Sequence, residues 1–250
     1  AVFRVYGVTL MGVDLASIAP PFKGYLVAPG PRRRPGGPGK GMETIEYFYS
    51  TRSVFAYLGA ARIVALAQRF GRRLIHRPID LSRLLEGIGG TPFDRRSAPQ
   101  RRHLFGREIE RWGEYLGLPV LVDPAHHYGD RALPSGFVIA AQRLGADADR
   151  LHVAVLTALW RDDRDIADPG VLADVALAAG ADPAPLLAEA LTDETQAAFA
   201  NNTEDAIVKG VLGSPTYIVD GDMFYGQDRL MMVERALERP FAPPSGRTAL

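Results

Sequence analysis

The spacing of hydrophobic and polar positions predicts a β-α-β unit near the start of the patterned part of the chain. Residues 45–49 (IEYFY) are short and rich in β-branched and aromatic side chains, which indicates a strand. Residues 54–70 form a long apolar-rich run typical of a buried helix, with N-cap candidates in residues 50–53 and Gly71 as the C-cap. Apolar positions within residues 74–79 indicate a second strand. The unit has the size expected of a parallel crossover.

The character of the chain changes after this unit and changes back near its end. Residues 81–202 are helix-forming runs broken by Gly and Pro clusters, which favours an all-helical insertion. Residues 216–219 and 223–225 flank the turn 220–222, whose Asp-Gly pair is a strong hairpin signal. A final helix is expected from about Asp228. The order predicts an α/β protein with a thioredoxin-like fold (β-α-β … β-β-α) interrupted by an all-helical insertion domain.

The N-terminal part of the chain lacks such a pattern. Residues 28–41 are nearly all Pro, Gly and Arg, a composition that cannot bury enough apolar surface to offset its ordering entropy. Met42 comes directly before the first strand pattern. We therefore expect a disordered or spurious extension over 1–41, a thioredoxin-like domain over 44–80 and 203–238, a helical insertion over 81–202 and a tail over 239–250.

Composition and charge exclude several classes of function. The 250 residues are 47% hydrophobic and 23% charged, as is ordinary for a globular protein, and 29 basic side chains balance 29 acidic ones. The formal net charge is therefore zero, which does not favour binding to nucleic acid or to an anionic membrane surface. No apolar stretch reaches the roughly 18 to 20 residues that a spanning helix needs. The short run over residues 5–13 has only a weak resemblance to a signal peptide, so we expect a cytoplasmic protein.

The absence of cysteine is the most restrictive feature of the composition. It excludes disulfides, thiolate zinc sites and any cysteine nucleophile or redox pair. Any thiol chemistry must therefore use a borrowed thiol.

Two stretches resemble one known family. Residues 47–58 (YFYSTRSVFAYL) are similar to the start of 2-hydroxychromene-2-carboxylate isomerases and kappa-class glutathione transferases, and residues 210–237 (GVLGSPTYIVDGDMFYGQDRLMMVERAL) are similar to their end. The likeness extends over residues 44–238. It implies a DsbA-like thioredoxin fold, glutathione as the cofactor, and a homodimer.

The resemblance also implies a set of site residues. Ser53 corresponds to the serine that contacts the glutathione sulfur, although Val54 stands where a proline usually follows it. Ser214, before a cis Pro215, corresponds to the residue whose backbone pairs with the tripeptide. The turn that holds the γ-glutamyl end corresponds to Gly226, Gln227, Asp228 and Arg229.

Elementary electrostatics gives this arrangement a reason. A free thiol with a pKa near 8.5 is mostly protonated at neutral pH, whereas the thiolate is the nucleophile. A helix N-terminus favours an anion by roughly 0.3 to 1 kcal/mol, and a hydrogen bond from Ser53 would lower the thiol pKa further. A plain N-cap role for Ser53 remains an alternative, and Arg52 is favoured as a solvated loop charge over a source of positive potential. The simpler interpretation of Asp228 is a cap on the last helix, which is compatible with pairing to the cofactor's ammonium group.

Other candidate groups are weaker. His126 and His127 beside Asp123 lack further ligands, so we expect a surface loop and no metal site. A basic cluster early in the insertion is expected to be a solvated helix face, with reception of a substrate carboxylate as the alternative. Its members are Arg95, Arg96, Arg101 and Arg102.

These observations favour a glutathione-dependent isomerase of the hydroxychromene carboxylate type that acts on a small aromatic substrate. Another low-molecular-weight thiol could replace glutathione. The alternatives are a kappa-type glutathione transferase and a catalytically silent thioredoxin-like binding protein. A serine hydrolase is disfavoured because the chain has no Gly-x-Ser-x-Gly elbow and no histidine placed as a base.

Overall fold

A computed structural model describes residues 9–10, 13–14 and 43–243. Two short strands, β1 (Thr9–Leu10) and β2 (Val13–Asp14), pair antiparallel. The rest of the predicted extension over 1–41 lies outside the described residues, as does the end of the predicted tail from residue 244 on.

The core of the protein is a mixed four-stranded sheet in the order β4-β3-β5-β6. β3 and β4 are parallel, as a β-α-β crossover requires, whereas β5 is antiparallel to both β3 and β6. The strands are β3 (Thr44–Tyr49), β4 (Arg73–Pro78), β5 (Thr216–Val219) and β6 (Asp222–Tyr225). The predicted α/β thioredoxin-like sheet is confirmed.

The strand register brings four chain segments to one edge of this sheet, here called the site edge. Tyr49 at the end of β3 lies opposite Pro78 at the end of β4. Phe48 pairs with Thr216 at the start of β5, and Thr216 pairs with Tyr225 at the end of β6. The segments after β3, after β4, before β5 and after β6 therefore all leave the sheet at the site edge.

Helices cover both faces of the sheet. α1 and α10 pack on the face that presents Tyr47 and Tyr217, and α2 and α9 pack on the face that presents Phe48. The helices are α1 (Val54–Phe70), α2 (Leu81–Gly87), α3 (Ala98–Arg102), α4 (Glu108–Leu116), α5 (Ala132–Leu144), α6 (Ala148–Trp160), α7 (Pro169–Ala178), α8 (Pro183–Ala190), α9 (Asp193–Val208) and α10 (Leu230–Glu238). A π-helical turn, His103–Arg107, joins α3 to α4.

Two predicted boundaries differ from the structure. The helical region continues to Val208, not 202. The C-terminal part of α9 buries Ala206 against the face of the sheet that presents Phe48, before the chain leads into β5. The last α-helix begins at Leu230, not at Asp228, because residues 227–229 form a 3₁₀ turn ahead of it. Among the residues that the structure describes, no helix is long and apolar enough to cross a membrane.

A cluster of buried rings fills the space between the sheet and α6. His152 on α6 lies 4.3 Å from Tyr49 and 5.1 Å from both Tyr47 and His76, measured between ring centroids. Both ring nitrogens of His76 have a hydrogen-bond partner. Its Nδ1 is 3.1 Å from the Tyr49 hydroxyl oxygen, and its Nε2 is 2.8 Å from Asp149 Oδ1. Neither ring nitrogen of His152 has a partner within the described part of the chain. Burial, together with the nearby His76, holds the pKa of His152 well below its usual range.

The burial of His152 predicts that the protein loses stability against unfolding in mild acid. The unfolded chain carries a histidine with a pKa near 6.5, so below that pH it binds a proton that folded His152 does not bind. This stability is therefore present above about pH 6.5 and is lost as the pH falls. We expect the free energy of unfolding to lose about 2 kcal/mol from this group between about pH 7.5 and about pH 5. Urea unfolding at the two pH values measures the change.

The matched control is His152→Phe, which keeps a ring in the cluster but cannot titrate. Titratable groups that do not contact position 152 contribute equally to both proteins, so the comparison isolates His152 and its immediate neighbour His76. An equal dependence of unfolding free energy on pH in the two proteins would contradict the assignment.

Candidate active site

Ser53 is the N-cap of α1 at the site edge. Its backbone is extended (φ −89°, ψ 118°) and its Oγ accepts a hydrogen bond of 3.2 Å from Ala56 N. The side chain is nearly buried, with 8% of the residue exposed. The first turn of α1 carries no acidic side chain, so nothing there opposes an anion at the positive end of the helix.

The loop before β5 lies directly against this helix start. The Ser214–Pro215 peptide is cis, as the sequence predicts. Ser53 Oγ donates to the carbonyl oxygen of Ser214 at 3.4 Å, and the backbone N–H of Ser50 donates to Ser214 Oγ at 2.9 Å. The structure therefore brings Ser53 together with Ser214 and Pro215, which lie more than 160 residues further along the chain.

The turn after β6 joins the same group through its main chain. The N–H of Gly226 donates to the carbonyl oxygen of Pro215 at 2.9 Å. Gly226 has φ 103°, a left-handed conformation that side chains other than hydrogen rarely adopt, so this turn favours glycine. The last predicted motif is thus anchored beside the cis-proline loop.

The three side chains after Gly226 have different environments. Gln227 is buried, and its Oε1 accepts a hydrogen bond of 2.9 Å from Arg62 Nη1 on α1. Asp228 is paired with Arg229, and both side chains are partly exposed at the surface. The expectation that Asp228 caps the last helix is wrong, because α10 has no side-chain cap and the preceding 3₁₀ turn takes up this position.

The geometry around Ser53 suits an incoming anion. The hydroxyl already accepts from the helix main chain, and its own hydrogen is engaged in a bond of 3.4 Å, which is long for an O–H donor. Rotation about the Cβ–O bond alone would redirect that hydrogen and would keep the capping bond from Ala56 N. The arrangement therefore offers one hydroxyl donor and a helix N-terminus, with no cysteine in the chain to supply a sulfur of its own.

Arg52 is not the solvated loop charge that the sequence favoured. The residue is only 6% exposed and donates to main-chain carbonyl oxygens of His126, His127 and Asp130 at 2.7 to 3.0 Å. Its nearest carboxylate oxygen among the described residues is in Asp165, at 3.9 Å. Burial lowers the pKa of the guanidinium, and Asp165 opposes that shift. Sequence alone carries no signal for this contact, because its acceptors are backbone atoms 74 to 78 positions away.

Thr51 and Ser135 form a second contact that sequence reasoning missed. The hydroxyl oxygen of Thr51 lies 3.3 Å from that of Ser135 on α5, and both residues are buried. The loop after β3 is therefore attached to the helical insertion by two successive side chains, Thr51 and Arg52.

The histidine pair lies on a surface loop, where His126 Nδ1 is 2.6 Å from the carbonyl oxygen of Asp163. Among the described residues, no group of side chains could hold a metal ion. The basic cluster is not the solvated helix face that was expected, because Arg95 and Arg96 precede α3. Arg96 donates to the Thr91 carbonyl and Arg101 to the Arg96 carbonyl, so both guanidinium groups hold loop backbone.

Comparisons with known proteins agree with this fold. A sequence model of the DSBA-like thioredoxin domain family matches residues 44–238. A 2-hydroxychromene-2-carboxylate isomerase from Pseudomonas putida is 27% identical over 195 residues, covering 78% of this chain and 94% of that protein. The predicted resemblance is confirmed.

Solved structures support the fold independently. A structure of 2-hydroxychromene-2-carboxylate isomerase has a TM-score of 0.64 at 24% identity, covering 78% of this chain and 95% of that one. A cytosolic disulfide reductase, DsbM, from Pseudomonas aeruginosa, solved with GSH, has a TM-score of 0.55 at 20% identity, covering 79% and 93% of the two chains. At these identities the likeness concerns the fold.

The capping bond at Ser53 predicts a measurable loss of stability in Ser53→Ala. The substitution removes the acceptor for Ala56 N, which typically costs about 1 kcal/mol and lowers Tm by about 2 to 4 °C in a domain of this size. Ser53→Thr keeps the acceptor and serves as the control. Urea unfolding of the three proteins measures the difference, and equal stability of Ser53→Ala and the wild type would contradict the capping role.

Proposed function

This chain belongs to the DSBA-like thioredoxin domain family, and from that premise we propose that it is a glutathione-dependent isomerase of the 2-hydroxychromene-2-carboxylate type, with Ser53 as the thiol activator. The observation that carries the proposal is the contact between the Ser53 hydroxyl at the start of α1 and the Ser214–Pro215 loop. In a chain without cysteine, this contact assembles a thiol-binding edge around a hydroxyl.

The residues present fit a tripeptide thiol. The main chain of Ser214 offers an edge for backbone pairing, since it directly precedes β5 at the site edge. The turn after Gly226 has N–H groups for a carboxylate and the half-exposed carboxylate of Asp228 for an ammonium group. Arg229 pairs with the Asp228 carboxylate and would orient it. For Gln227 we propose a main-chain contribution only, because Arg62 occupies its side chain.

The chemistry follows from the sulfur and its environment. When bound, the thiol supplies a nucleophile that adds reversibly to a conjugated aromatic pyruvate and thereby lets a double bond rotate. Ser53 orients the sulfur and donates to it, and the N-terminus of α1 favours its anionic form. The helical insertion would exclude water from the site edge.

The relatives support this choice over the alternatives. The Pseudomonas putida relative is named as an isomerase, and DsbM, which shares the fold, was solved with GSH. Transfer of glutathione to an electrophile, as in kappa-class transferases, needs the same activated sulfur and is the second candidate. We propose a cytoplasmic homodimer acting on a small aromatic molecule, with glutathione or another low-molecular-weight thiol as the cofactor.

Removal of the Ser53 hydroxyl tests the proposal. A hydrogen bond to a charged group contributes roughly 1.5 to 3 kcal/mol, so we expect Ser53→Ala to lower thiol-dependent turnover by about 10- to 100-fold. Turnover is measured with glutathione against a hydroxychromene carboxylate and, in parallel, a chloro-nitroarene. Ultraviolet absorbance of the bound thiolate should fall in the same variant.

Ser53→Thr again separates the hydroxyl donor from the rest of the serine. It should retain most of the turnover, whereas Ser53→Ala should not. Calorimetric titration with several low-molecular-weight thiols identifies the cofactor. Full turnover in Ser53→Ala would contradict the role of Ser53 as the thiol activator. No thiol-dependent turnover of either substrate by the wild type would instead favour a catalytically silent binding protein.

A further inference from the structure

Arg52 holds a loop of the helical insertion against the start of α1. This loop, residues 124–131, is here called the arginine-held loop. Four hydrogen bonds from the Arg52 guanidinium reach the carbonyl oxygens of His126, His127 and Asp130. A Cβ atom at Gly129 would lie 2.7 Å from Arg52 Nη2, so a side chain there would require the guanidinium to shift. The main chain of the loop is therefore fixed relative to residue 52.

The far end of the loop is fixed to the next strand of the sheet. Arg131 Nη1 lies 3.3 Å from Oδ1 of Asp80, the N-cap of α2 two residues after the end of β4. Arg52 follows β3, so the arginine-held loop extends from the end of β3 to the end of β4. Both of its attachments are therefore to segments that leave the sheet at the site edge.

The loop turns one ring inward and one outward. The His127 ring packs on Trp160, with 4.8 Å between ring centroids. Tyr128 is 67% exposed, and its centroid lies 6.4 Å from that of the partly exposed Phe93. Phe93 is supported from behind by Phe105 on the π-helical turn, at 4.9 Å. Tyr128 and Phe93 thus present two accessible rings, and Arg52 holds the backbone of the loop that carries Tyr128.

We propose that Tyr128 and Phe93 form the subsite for the aromatic ring of the substrate, and that Arg52 is the positioning residue that holds this subsite beside Ser53. The class of substrate rests on the proposed function, whereas the placement of the rings rests on the contacts above. Aromatic rings at these separations leave edges and faces on which a third ring gains both burial and favourable ring geometry. Arg52 and Ser53 are neighbours in the chain. The residue that holds the ring subsite is therefore joined by one peptide bond to the residue that activates the thiol.

Equilibrium binding of 2-naphthoate tests the subsite without requiring turnover. We expect calorimetry to give dissociation constants about 3- to 10-fold higher for Tyr128→Leu and for Phe93→Leu than for the wild type, since leucine keeps apolar bulk but lacks the ring. Both positions are partly exposed, so the variants should fold. Phe241→Leu is the matched control, because Phe241 is a half-exposed ring packed near Phe224, beside the turn at the opposite edge of the sheet. Its naphthoate affinity should equal that of the wild type.

Arg52→Lys tests the positioning role, since lysine keeps the charge but cannot reach three carbonyl oxygens at once. We expect faster hydrogen exchange in residues 124–131 and altered fluorescence of Trp160, which loses its contact with His127. In turnover assays the KM for the aromatic substrate should rise about 3- to 10-fold, while the KM for the thiol stays unchanged.

Wild-type naphthoate affinity in both Tyr128→Leu and Phe93→Leu would overturn the subsite, and so would the absence of naphthoate binding to the wild type. An equal rise of both KM values in Arg52→Lys, or unchanged exchange of the loop, would overturn the positioning role. A failure of the proposed function appears elsewhere, as turnover that does not depend on thiol, and leaves the naphthoate comparison intact.

Discussion

The contact between the start of α1 and the cis-proline loop is the constraint on which the candidate site depends. Two hydrogen bonds carry it, from Ser50 N to Ser214 Oγ and from Ser53 Oγ to the Ser214 carbonyl. They form because β5 runs antiparallel to β3 with Phe48 opposite Thr216. A shift of this register by one residue would turn every β5 side chain to the other face and separate the two loops. The register of the central strands therefore fixes the site more strictly than any single side chain does.

The site edge differs electrostatically from a site in which an Arg or Lys side chain donates directly to a bound anion. Arg52 is the charged group nearest to Ser53 in the chain, yet its donors are engaged with carbonyl oxygens of the arginine-held loop. Under the proposed function, stabilisation of a thiolate would fall to the helix N-terminus and the Ser53 hydroxyl, which are dipoles rather than charges. Such a site favours an anion without a salt bridge that a reacting sulfur would have to break.

Local signals in the sequence were sufficient for most of the fold. The bounds of α1, the hairpin between β5 and β6, and the crossover from β3 to β4 follow from residue pattern and turn chemistry. The end of α9 and the start of α10 were misplaced, because packing against the sheet and a 3₁₀ turn decide them. The site divided in the same way. Ser53 as a cap follows from its position before an apolar run, whereas the partner of Arg52 is backbone in a distant loop and has no sequence signature.

Gln227 and Tyr128 show that membership in a sequence motif does not by itself reveal the role of a side chain. Gln227 belongs to a motif associated with cofactor binding, but its side chain is buried against Arg62. Tyr128 belongs to no recognised motif, yet it is exposed on a loop whose backbone is held by Arg52. The Gln227 side chain therefore serves the packing against α1, whereas the Tyr128 side chain is accessible for the contact proposed above. Under the proposed function, the site edge holds a thiol mainly through backbone and one hydroxyl, which leaves the helical insertion to determine which substrate meets it.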